Sequence, residues 1–235
     1  MAIVWYILGD FNIQFDFSKA PGFDDTDSVY HIFEQLRQHP RTSSWHIIPA
    51  YQTLTISYPW NDSLDEVINI VHESITAPKT PKTPSRRFLI PVCYEGDFGP
   101  DLPFVADLHR LSRNEVIRLH AQPDYRIEAI GFTPGFPYLS GLPKELITPR
   151  KDTPRLRVPA GSVAIGGHQS GIYPFSSPGG WQLIGRTPVI LFNVANTPPI
   201  PYQQGDRLHF TPITPHEYDE LLRNPQHHDL WEMMP

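Results

Sequence analysis

The sequence predicts an α+β protein with two domains, a small α/β domain followed by a β-barrel domain. Two helical patterns and several strand patterns occupy residues 1–76, whereas from Tyr125 onward only short strand patterns occur, separated by glycine and proline. Residues 77–87 contain prolines at a three-residue spacing and no apolar periodicity, which is typical of a stiff, solvated linker. The predicted domains are therefore 1–76 and 88–225, followed by a tail at 226–235.

The first domain is predicted to be an antiparallel sheet with two helices on one face. A hairpin is expected at 2–8 and 11–17, turned at Gly9-Asp10, with further strands at 47–48 and 54–58. The second helix begins with the capping-box pattern Ser63-Leu-Asp-Glu66. Apolar residues at helical spacing are Val29, Ile32, Phe33 and Leu36 in a helix at 27–38, and Leu64, Val67, Ile68 and Val71 in the second helix.

The second domain starts with a strand pattern at 88–94 and then carries a small helical insertion. Helices are expected at 101–109 and, after the capping box Ser112-Arg-Asn-Glu115, as far as His120. Short strands with frequent glycine and proline punctuation then predict a barrel. These strands are expected at 125–130, 156–158, 162–166, 182–186, 189–193 and 206–210.

Composition narrows the possible classes of protein. The 235 residues carry a net charge of −6 and no basic run, which argues against nucleic acid as the main partner. No apolar run approaches the ~20 residues of a membrane helix, and the apolar residues 1–8 lack the basic flank of a signal peptide. The single cysteine, Cys93, allows no internal disulfide and suggests a reducing, cytoplasmic setting.

Ten of the 15 glycines fall between Gly131 and Gly185, among prolines, aromatics and arginines. This mixture suits rigid loops around a polar ligand, or equally the tight turns of a barrel. Arginines flank these loops, and Ser177-Pro-Gly-Gly180 is a candidate anion-binding nest, although the chain has no P-loop. The flanking arginines are Arg150, Arg155, Arg157 and Arg186.

The sequence gives little support for a metal site or for a catalytic serine or cysteine nucleophile. The 11 histidines include no metalloprotease-type pair, no Gly-x-Ser-x-Gly elbow occurs, and Cys93 lies inside an apolar strand. Ser162 is a candidate ligand hydroxyl or a turn serine that precedes a strand. The aromatic residues line a pocket or fill the barrel; Phe132 suits the barrel core, whereas Phe136 and Tyr138 suit an exposed wall beside glycine.

Six ordered motifs resemble the family of the B subunit of 5-oxoprolinase, which is also described as sporulation-kinase inhibitor or allophanate hydrolase subunit 1. The resemblance covers roughly 88–212, and Ser170 stands where the family usually has threonine. The motifs are Gly131-Phe-Thr-Pro-Gly-Phe-Pro-Tyr-Leu139, Thr148-Pro-Arg150, Thr153-Pro-Arg155, Val158-Pro-Ala-Gly-Ser-Val163, Gln169-Ser-Gly-Ile-Tyr-Pro174 and Ser177-Pro-Gly-Gly-Trp181 with Ile184-Gly-Arg-Thr-Pro188.

The resemblance implies a cyclophilin-like barrel and two partners, the homologous C subunit and a separate A subunit. Together they would open the lactam 5-oxoproline to glutamate with ATP and Mg²⁺, this chain helping to activate the lactam and being inactive alone. Catalytic roles are predicted for His120 and Arg186. Substrate contacts are predicted for Pro134, Gly135, Phe136, Tyr138, Arg150, Arg155, Ser162, Gln169, Tyr173, Gly179, Gly180 and Trp181.

Two other functions fit the same motifs. A binding module that inhibits a sensor histidine kinase would use the barrel surface without any chemistry. A carboxyltransferase subunit like that of urea carboxylase would receive carboxybiotin, although this chain has no Met-Lys-Met biotin-carrier motif.

Overall fold

The computed structural model describes residues 3–20, 26–77 and 85–223. It divides the chain into two compact units, 1–84 and 85–235. Most of the predicted linker at 77–87 and all of the predicted tail at 226–235 lie outside the described residues. Within the described ranges, no helix is both long and apolar enough to cross a membrane.

The first unit is a four-stranded antiparallel sheet in the order β1-β2-β4-β3, with both helices on one face. Alternate residues of β2 and β4 pack under the helices in one apolar core, as the sequence predicts. The elements are β1 (Val4–Gly9), β2 (Asn12–Asp16), α1 (Thr26–Gln38), β3 (His46–Ala50), β4 (Thr53–Ser57) and α2 (Leu64–Thr76).

The second unit is a closed seven-stranded barrel in the order β10-β7-β6-β13-β5-β12-β9. β13 runs parallel to β5, the other barrel pairs are antiparallel, and β8 and β11 form a separate two-stranded ribbon. The strands are β5 (Arg87–Cys93), β6 (Asp124–Ile130), β7 (Pro137–Ser140), β8 (Arg155–Val158), β9 (Ser162–Gly166), β10 (Gln169–Ile172), β11 (Ser177–Gly179), β12 (Gln182–Arg186) and β13 (Arg207–Ile213).

Within residues 85–223, three α-helices accompany the barrel. They are α3 (Leu102–His109), α4 (Arg113–Ala121) and α5 (Pro215–Arg223). α4 begins with a complete capping box, because the Ser112 hydroxyl accepts from the Glu115 N–H while the Glu115 carboxylate accepts from the Ser112 N–H. Apolar residues of α3 and α4 join the core inside the barrel, so the helical insertion contributes to it.

The α+β class with a barrel domain is confirmed. The strand expected at 189–193 is wrong, because this segment has buried Val189 and Leu191 but forms no strand ladder. The alternation of apolar residues in this segment reflects the packing of an extended chain against the core, and not hydrogen-bonded pairing with another strand. Three short strands, β7, β10 and β11, are missing from the sequence prediction, since glycine, proline and serine dilute their strand signal.

Candidate functional site

Alternation along the barrel strands separates an inner face from an outer face. On β9, Val163 and Ile165 join the core inside the barrel, whereas Ala164 joins a second apolar cluster outside it. We call the surface that carries this second cluster the outer face. Its strand positions are Ser162, Ala164 and Gly166 on β9, Gly171 on β10, Tyr138 on β7, and Leu183 and Arg186 on β12.

An aromatic cluster of Phe136, Tyr138, Tyr173 and Trp181 packs on the outer face. Phe136 is at its centre, with ring centroids 4.8 Å from Tyr138, 5.2 Å from Tyr173 and 5.5 Å from Trp181. Gly166 makes room for the indole, because a Cβ there would lie 2.4 Å from the Trp181 ring. Phe136 and Trp181 are buried and Tyr138 is half-buried, so Tyr138 is the member with the larger solvent-facing part.

The two phenylalanines beside these glycines have the opposite exposure from the one that the sequence suggests. Phe132, expected in the barrel core, has a φ of +67° and is 62% exposed. Phe136, expected as an exposed wall, is buried, and the Phe132 ring packs edge-on against it with the centroids 5.7 Å apart. Phe136 therefore supports the cluster from within, and Phe132 extends it toward solvent.

Arg150 caps this cluster. Its guanidinium carbon lies 5.5 Å from the centroid of the Trp181 ring, a cation–π geometry, and the residue is exposed. Desolvation raises the pKa of the Tyr138 hydroxyl, and the Arg150 charge partly opposes that rise. The structure thus brings together four of the predicted contact residues with one cation. Because Phe136, Tyr173 and Trp181 are buried, the surface open to a flat, anionic ligand is formed by Tyr138, Phe132 and Arg150.

Arg186 and Ser162 form a second polar position on the outer face. They are directly opposite each other in the β12–β9 ladder, and the Arg186 guanidinium also lies over the Phe98 ring at 5.7 Å. Among the described residues, neither Arg186 Nε nor Ser162 Oγ has a hydrogen-bond partner, although both atoms are buried. Unsatisfied buried donors are rare in folded proteins, so this arginine–serine pair is a candidate anion site.

Gly161 allows two backbone segments to approach closely beside the arginine–serine pair. Its φ is +78°, and a Cβ there would lie 2.2 Å from the Thr187 carbonyl oxygen. Only glycine tolerates this combination of conformation and close approach. Ser162 therefore follows a rigid turn between β8 and β9, which fixes its position opposite Arg186.

Arg155 has a partner that the sequence did not reveal. Its Nη2 donates to Asp101 Oδ1 at 2.6 Å, Lys151 Nζ lies 3.3 Å from the same oxygen, and Asp101 Oδ2 accepts from the Leu183 N–H. Asp101 immediately precedes α3, where an aspartate ordinarily caps the helix, yet its side chain makes no capping bond. Arg155 is thus committed to a buried carboxylate, and its ligand role stays a prediction.

His120 lies inside the barrel rather than on the outer face. Its Nδ1 is 2.9 Å from the Tyr94 hydroxyl, its Nε2 is 2.9 Å from Ser170 Oγ, and its ring stacks on Phe210. Because Ser170 Oγ donates onward to the Ala164 carbonyl, we assign the proton to Nε2 and the acceptor role to Nδ1.

Burial lowers the pKa of His120 to about 3, so the imidazole is neutral near pH 7. It has no exposed surface, so a substrate on the outer face would not reach it. The predicted catalytic role therefore has no geometric support, and the contacts make His120 a structural residue of the barrel interior.

The remaining predicted residues lie around the aromatic cluster. Pro134 is exposed, Gly135 has a φ of +81° and accepts from the Tyr202 hydroxyl, and Gln169 is half-buried at the start of β10. Gly179 packs on Tyr173, since a Cβ there would lie 2.4 Å from the phenol oxygen. The Gly180 carbonyl accepts from the Lys151 N–H.

The predicted nest at Ser177-Pro-Gly-Gly180 is wrong. Residues 177–179 form strand β11 and pair with β8, and neither Gly179 nor Gly180 has a positive φ. A nest needs alternating right- and left-handed conformations to converge its amides, which an extended strand does not provide. Anion binding on this face therefore depends on side chains.

Two cationic positions result, Arg150 above the aromatic cluster and Arg186 beside Ser162. They lie near opposite ends of β9, and a five-residue strand is ~13 Å long from first to last Cα. Within the described ranges, no three His, Cys, Asp or Glu side chains group as a metal site requires. The arrangement suits a ligand, or two ligands side by side, with separated anionic groups.

Comparison with known proteins identifies the family. Residues 3–202 match the family described as carboxyltransferase domain, subdomain C and D. A relative from Bacillus subtilis, named as the B subunit of 5-oxoprolinase, is 37% identical over 90% of this chain and 93% of its own length. The chain belongs to the family of the 5-oxoprolinase B subunit.

Further similarities agree with that family and with the fold. A relative of the same name from Escherichia coli O157:H7 is 52% identical over 55% of this chain and 60% of its own length. The solved structure of the K. lactis urea amidolyase has a TM-score of 0.77 over 99% of this chain and 16% of that chain. Its identity is 18%, so it shows that the fold is shared.

Proposed function

We propose that this chain is the B subunit of an ATP-dependent 5-oxoprolinase and that its outer face receives the lactam. The observation that carries the proposal is the pairing of two cationic positions with an aromatic cluster, in a chain that aligns with nearly the whole of a relative named as this subunit. 5-Oxoproline is a compact ring with one carboxylate, which suits an aromatic wall beside a guanidinium.

Each position has a proposed role. Arg150 binds the substrate carboxylate beside the buried Trp181 ring, whose apolar surface strengthens the charge interaction by displacing water. Arg186 and Ser162 donate to an anionic group at the other end of β9, and their unsatisfied buried donors support this assignment. Arg155 holds Asp101, which accepts from the Leu183 N–H of β12, while the buried Arg155 Nη1 has no partner in the described chain and stays a candidate ligand donor.

ATP is the proposed co-substrate, and its phosphates suit the donors of Arg186 and Ser162. When bound, ATP supplies the activation that a lactam carbonyl needs before water can open the ring. Mg²⁺ would accompany the phosphates, and the A and C subunits are the proposed partners, because one chain with two arginine positions does not complete a phosphoryl-transfer site. The chain alone is expected to be inactive, and its proposed location is the cytoplasm.

Reconstitution tests the proposal. Glutamate formation from 5-oxoproline and ATP is measured with this chain and the A and C subunits together, and again with this chain omitted. We expect turnover in the full mixture alone. Equal turnover without this chain, or none in the full mixture of folded components, would contradict the proposal.

Within that mixture, Arg186→Ala should lower kcat/KM about 100-fold or more, because it removes a donor aimed at developing charge. Arg113→Ala is the matched control, since Arg113 is an exposed arginine in α4, away from the outer face. Unfolding curves for both variants keep a folding defect separate from a binding defect. Wild-type kinetics in Arg186→Ala would remove the arginine–serine pair from the site.

A carboxyltransferase activity is the second candidate, and the name of the matching family favours it. In that case the outer face would receive a carboxylated carrier rather than a lactam. Transfer of labelled carboxyl groups from carboxybiotin to urea, the acceptor suggested by a relative named as a putative urea carboxylase, leaves free biotin and distinguishes the two candidates when it is measured with the same mixture of subunits but without ATP.

A further inference from the structure

The first strand of the N-terminal unit has an exposed apolar surface on both of its faces. Among the residues that the structure describes, β1 is an edge strand that pairs with β2 alone, in the sheet order β1-β2-β4-β3. The five residues Val4, Trp5, Tyr6, Ile7 and Leu8 are between 38% and 59% exposed. None carries a charge, so the backbone groups on the open side of β1 are flanked by apolar side chains alone.

Register explains why both faces of β1 are exposed. Trp5 is opposite Phe15 and Ile7 is opposite Ile13, and both partners on β2 are buried in the core under the helices. Trp5 and Ile7 share that face of the sheet but stand beyond the part the helices cover. Val4 and Tyr6 point to the other face, and Leu8 is the extra residue of a β-bulge between Ile7 and Gly9.

The opposite edge of the same sheet is built differently. β3 contains Pro49, which offers no N–H, and it begins at the polar residue His46. Proline and polar residues are devices by which natural proteins prevent edge strands from pairing with other chains. β1 has neither device, and its one irregularity is a β-bulge between Ile7 and Gly9, so its edge from Val4 to Ile7 is open to another strand.

We propose that β1 pairs antiparallel with β1 of a second copy of this chain, joining the two four-stranded sheets into one. Full overlap of residues 4–8 places Tyr6 on the two-fold axis, opposite Tyr6 of the second copy. Trp5 then packs against Ile7 of the second copy, and Val4 lies opposite the bulged residue Leu8 of the second copy. Such an interface is self-complementary, as two-fold symmetry requires, and it brings no like charges together.

The area available to this dimer is small. Large side chains about half exposed present about 100 Å² each, so the five residues present about 1,000 Å² over both copies, which is the upper bound on what edge-to-edge pairing buries from them. That value is at the lower limit for a specific interface, and the backbone hydrogen bonds of the strand pair add to it. The dimer is therefore expected to be reversible and dependent on concentration.

The first test is the molar mass of the full chain in solution, by sedimentation equilibrium from about 1 to about 100 µM. The wild-type mass should rise twofold across this series. Ile7→Lys should stay at the mass of one chain, because it places two charges in the pair. Leu108→Lys, at an exposed leucine of α3, should dimerise like the wild type.

Cross-linking tests the register without relying on a destabilising change. Tyr6→Cys should form a covalent dimer on oxidation, since opposed residues on antiparallel strands have Cα atoms about 5 Å apart. Leu8→Cys should not, because the two Leu8 positions would be separated by four residues along the strand, ~13 Å. Cys93 is buried and serves as an internal control for non-specific oxidation.

Three outcomes would overturn the inference. One is a wild-type chain that stays monomeric throughout the concentration series, which would leave β1 for a strand of a different protein. Another is an Ile7→Lys chain that dimerises as the wild type does. The third is efficient cross-linking of Leu8→Cys together with none in Tyr6→Cys. None of these results depends on 5-oxoprolinase activity.

Discussion

The His120 group inside the barrel and the Arg186–Ser162 pair on its outer face are both polar, and they differ in how hydrogen bonds satisfy them. Inside, both ring nitrogens of His120 are bonded, to Tyr94 and to Ser170. Outside, Arg186 Nε and Ser162 Oγ are buried without a partner in the described part of the chain. The interior residues lie on α4, on β10 and directly after β5, whereas the outer pair lies on β9 and β12.

This difference separates polar residues that stabilise the fold from those that are available to a ligand. A fully bonded buried network makes the interior specific and rigid, and breaking it leaves several unsatisfied groups. In the ligand-free protein, a buried donor without a partner lowers the stability of the fold. A ligand that accepts a hydrogen bond from that donor removes the penalty. The comparison assigns His120 to stability and the arginine–serine pair to binding.

Replacing His120 should give the largest effect on stability. His120→Ala opens a cavity and leaves the Tyr94 hydroxyl and Ser170 Oγ unpaired, so we expect a loss of about 3 kcal/mol or more in the free energy of unfolding. Urea denaturation measures it, and His168→Ala, at an exposed histidine, is the control. A loss below about 1 kcal/mol would contradict the structural role.

The pH dependence of stability tests the same residue without a cavity. Burial lowers the pKa of His120 in the folded chain from 6.5 to about 3, so the unfolded chain binds the proton first. The stabilisation is complete above pH 6.5 and is lost as the pH falls from there toward 3. The wild type should therefore lose up to about 1.4 kcal/mol per pH unit more than His120→Gln over this window.

Unfolding free energies at several pH values between about 4 and about 7 provide the measurement for both proteins. Subtracting one curve from the other removes the titration of groups that the two proteins share. Parallel curves would mean that His120 titrates normally in the folded chain and reaches solvent.

Local signals in the sequence predict much of the fold. The capping box at Ser112 and Glu115 and the apolar spacing of Val29, Ile32 and Leu36 are contained within one or two turns, and the structure has helices at both places. The motif aromatics of the outer face are likewise brought together. These features depend on residue type and short spacing, which a sequence displays directly.

The pairing of distant residues is what the sequence does not display. Arg155 binds Asp101, 54 residues earlier in the chain, and the expected cap position of Asp101 hides that contact. The direction of the His120 side chain is set by the placement of α4 against the barrel, so a histidine near the site motifs is indistinguishable from a catalytic one until the strands are in place. Tertiary packing decides both cases, that of the β8–β11 ribbon against the residue before α3 and that of α4 against the barrel.

Two serines on neighbouring strands give the finest test of the comparison between faces. Ser170 on β10 is bonded to His120 inside the barrel, and Ser162 on β9 is unpaired on the outer face among the described residues. Ser170→Ala should cost about 1 to 2 kcal/mol of unfolding free energy, because it removes the partner of a buried ring nitrogen. Ser162→Ala should change stability by less than about 0.5 kcal/mol, since the hydroxyl it removes bonds to nothing in the described chain.

Activity in the reconstituted mixture should reverse that order. Ser162→Ala is expected to raise KM several-fold through the loss of one ligand hydrogen bond worth about 1 kcal/mol, whereas Ser170→Ala should retain the wild-type KM at a temperature where it is folded. Measuring both quantities for both variants gives two opposite rankings. If the same serine has the larger effect on both stability and KM, the hydrogen-bonded interior residues and the unpaired outer residues of this barrel do not differ in role as proposed.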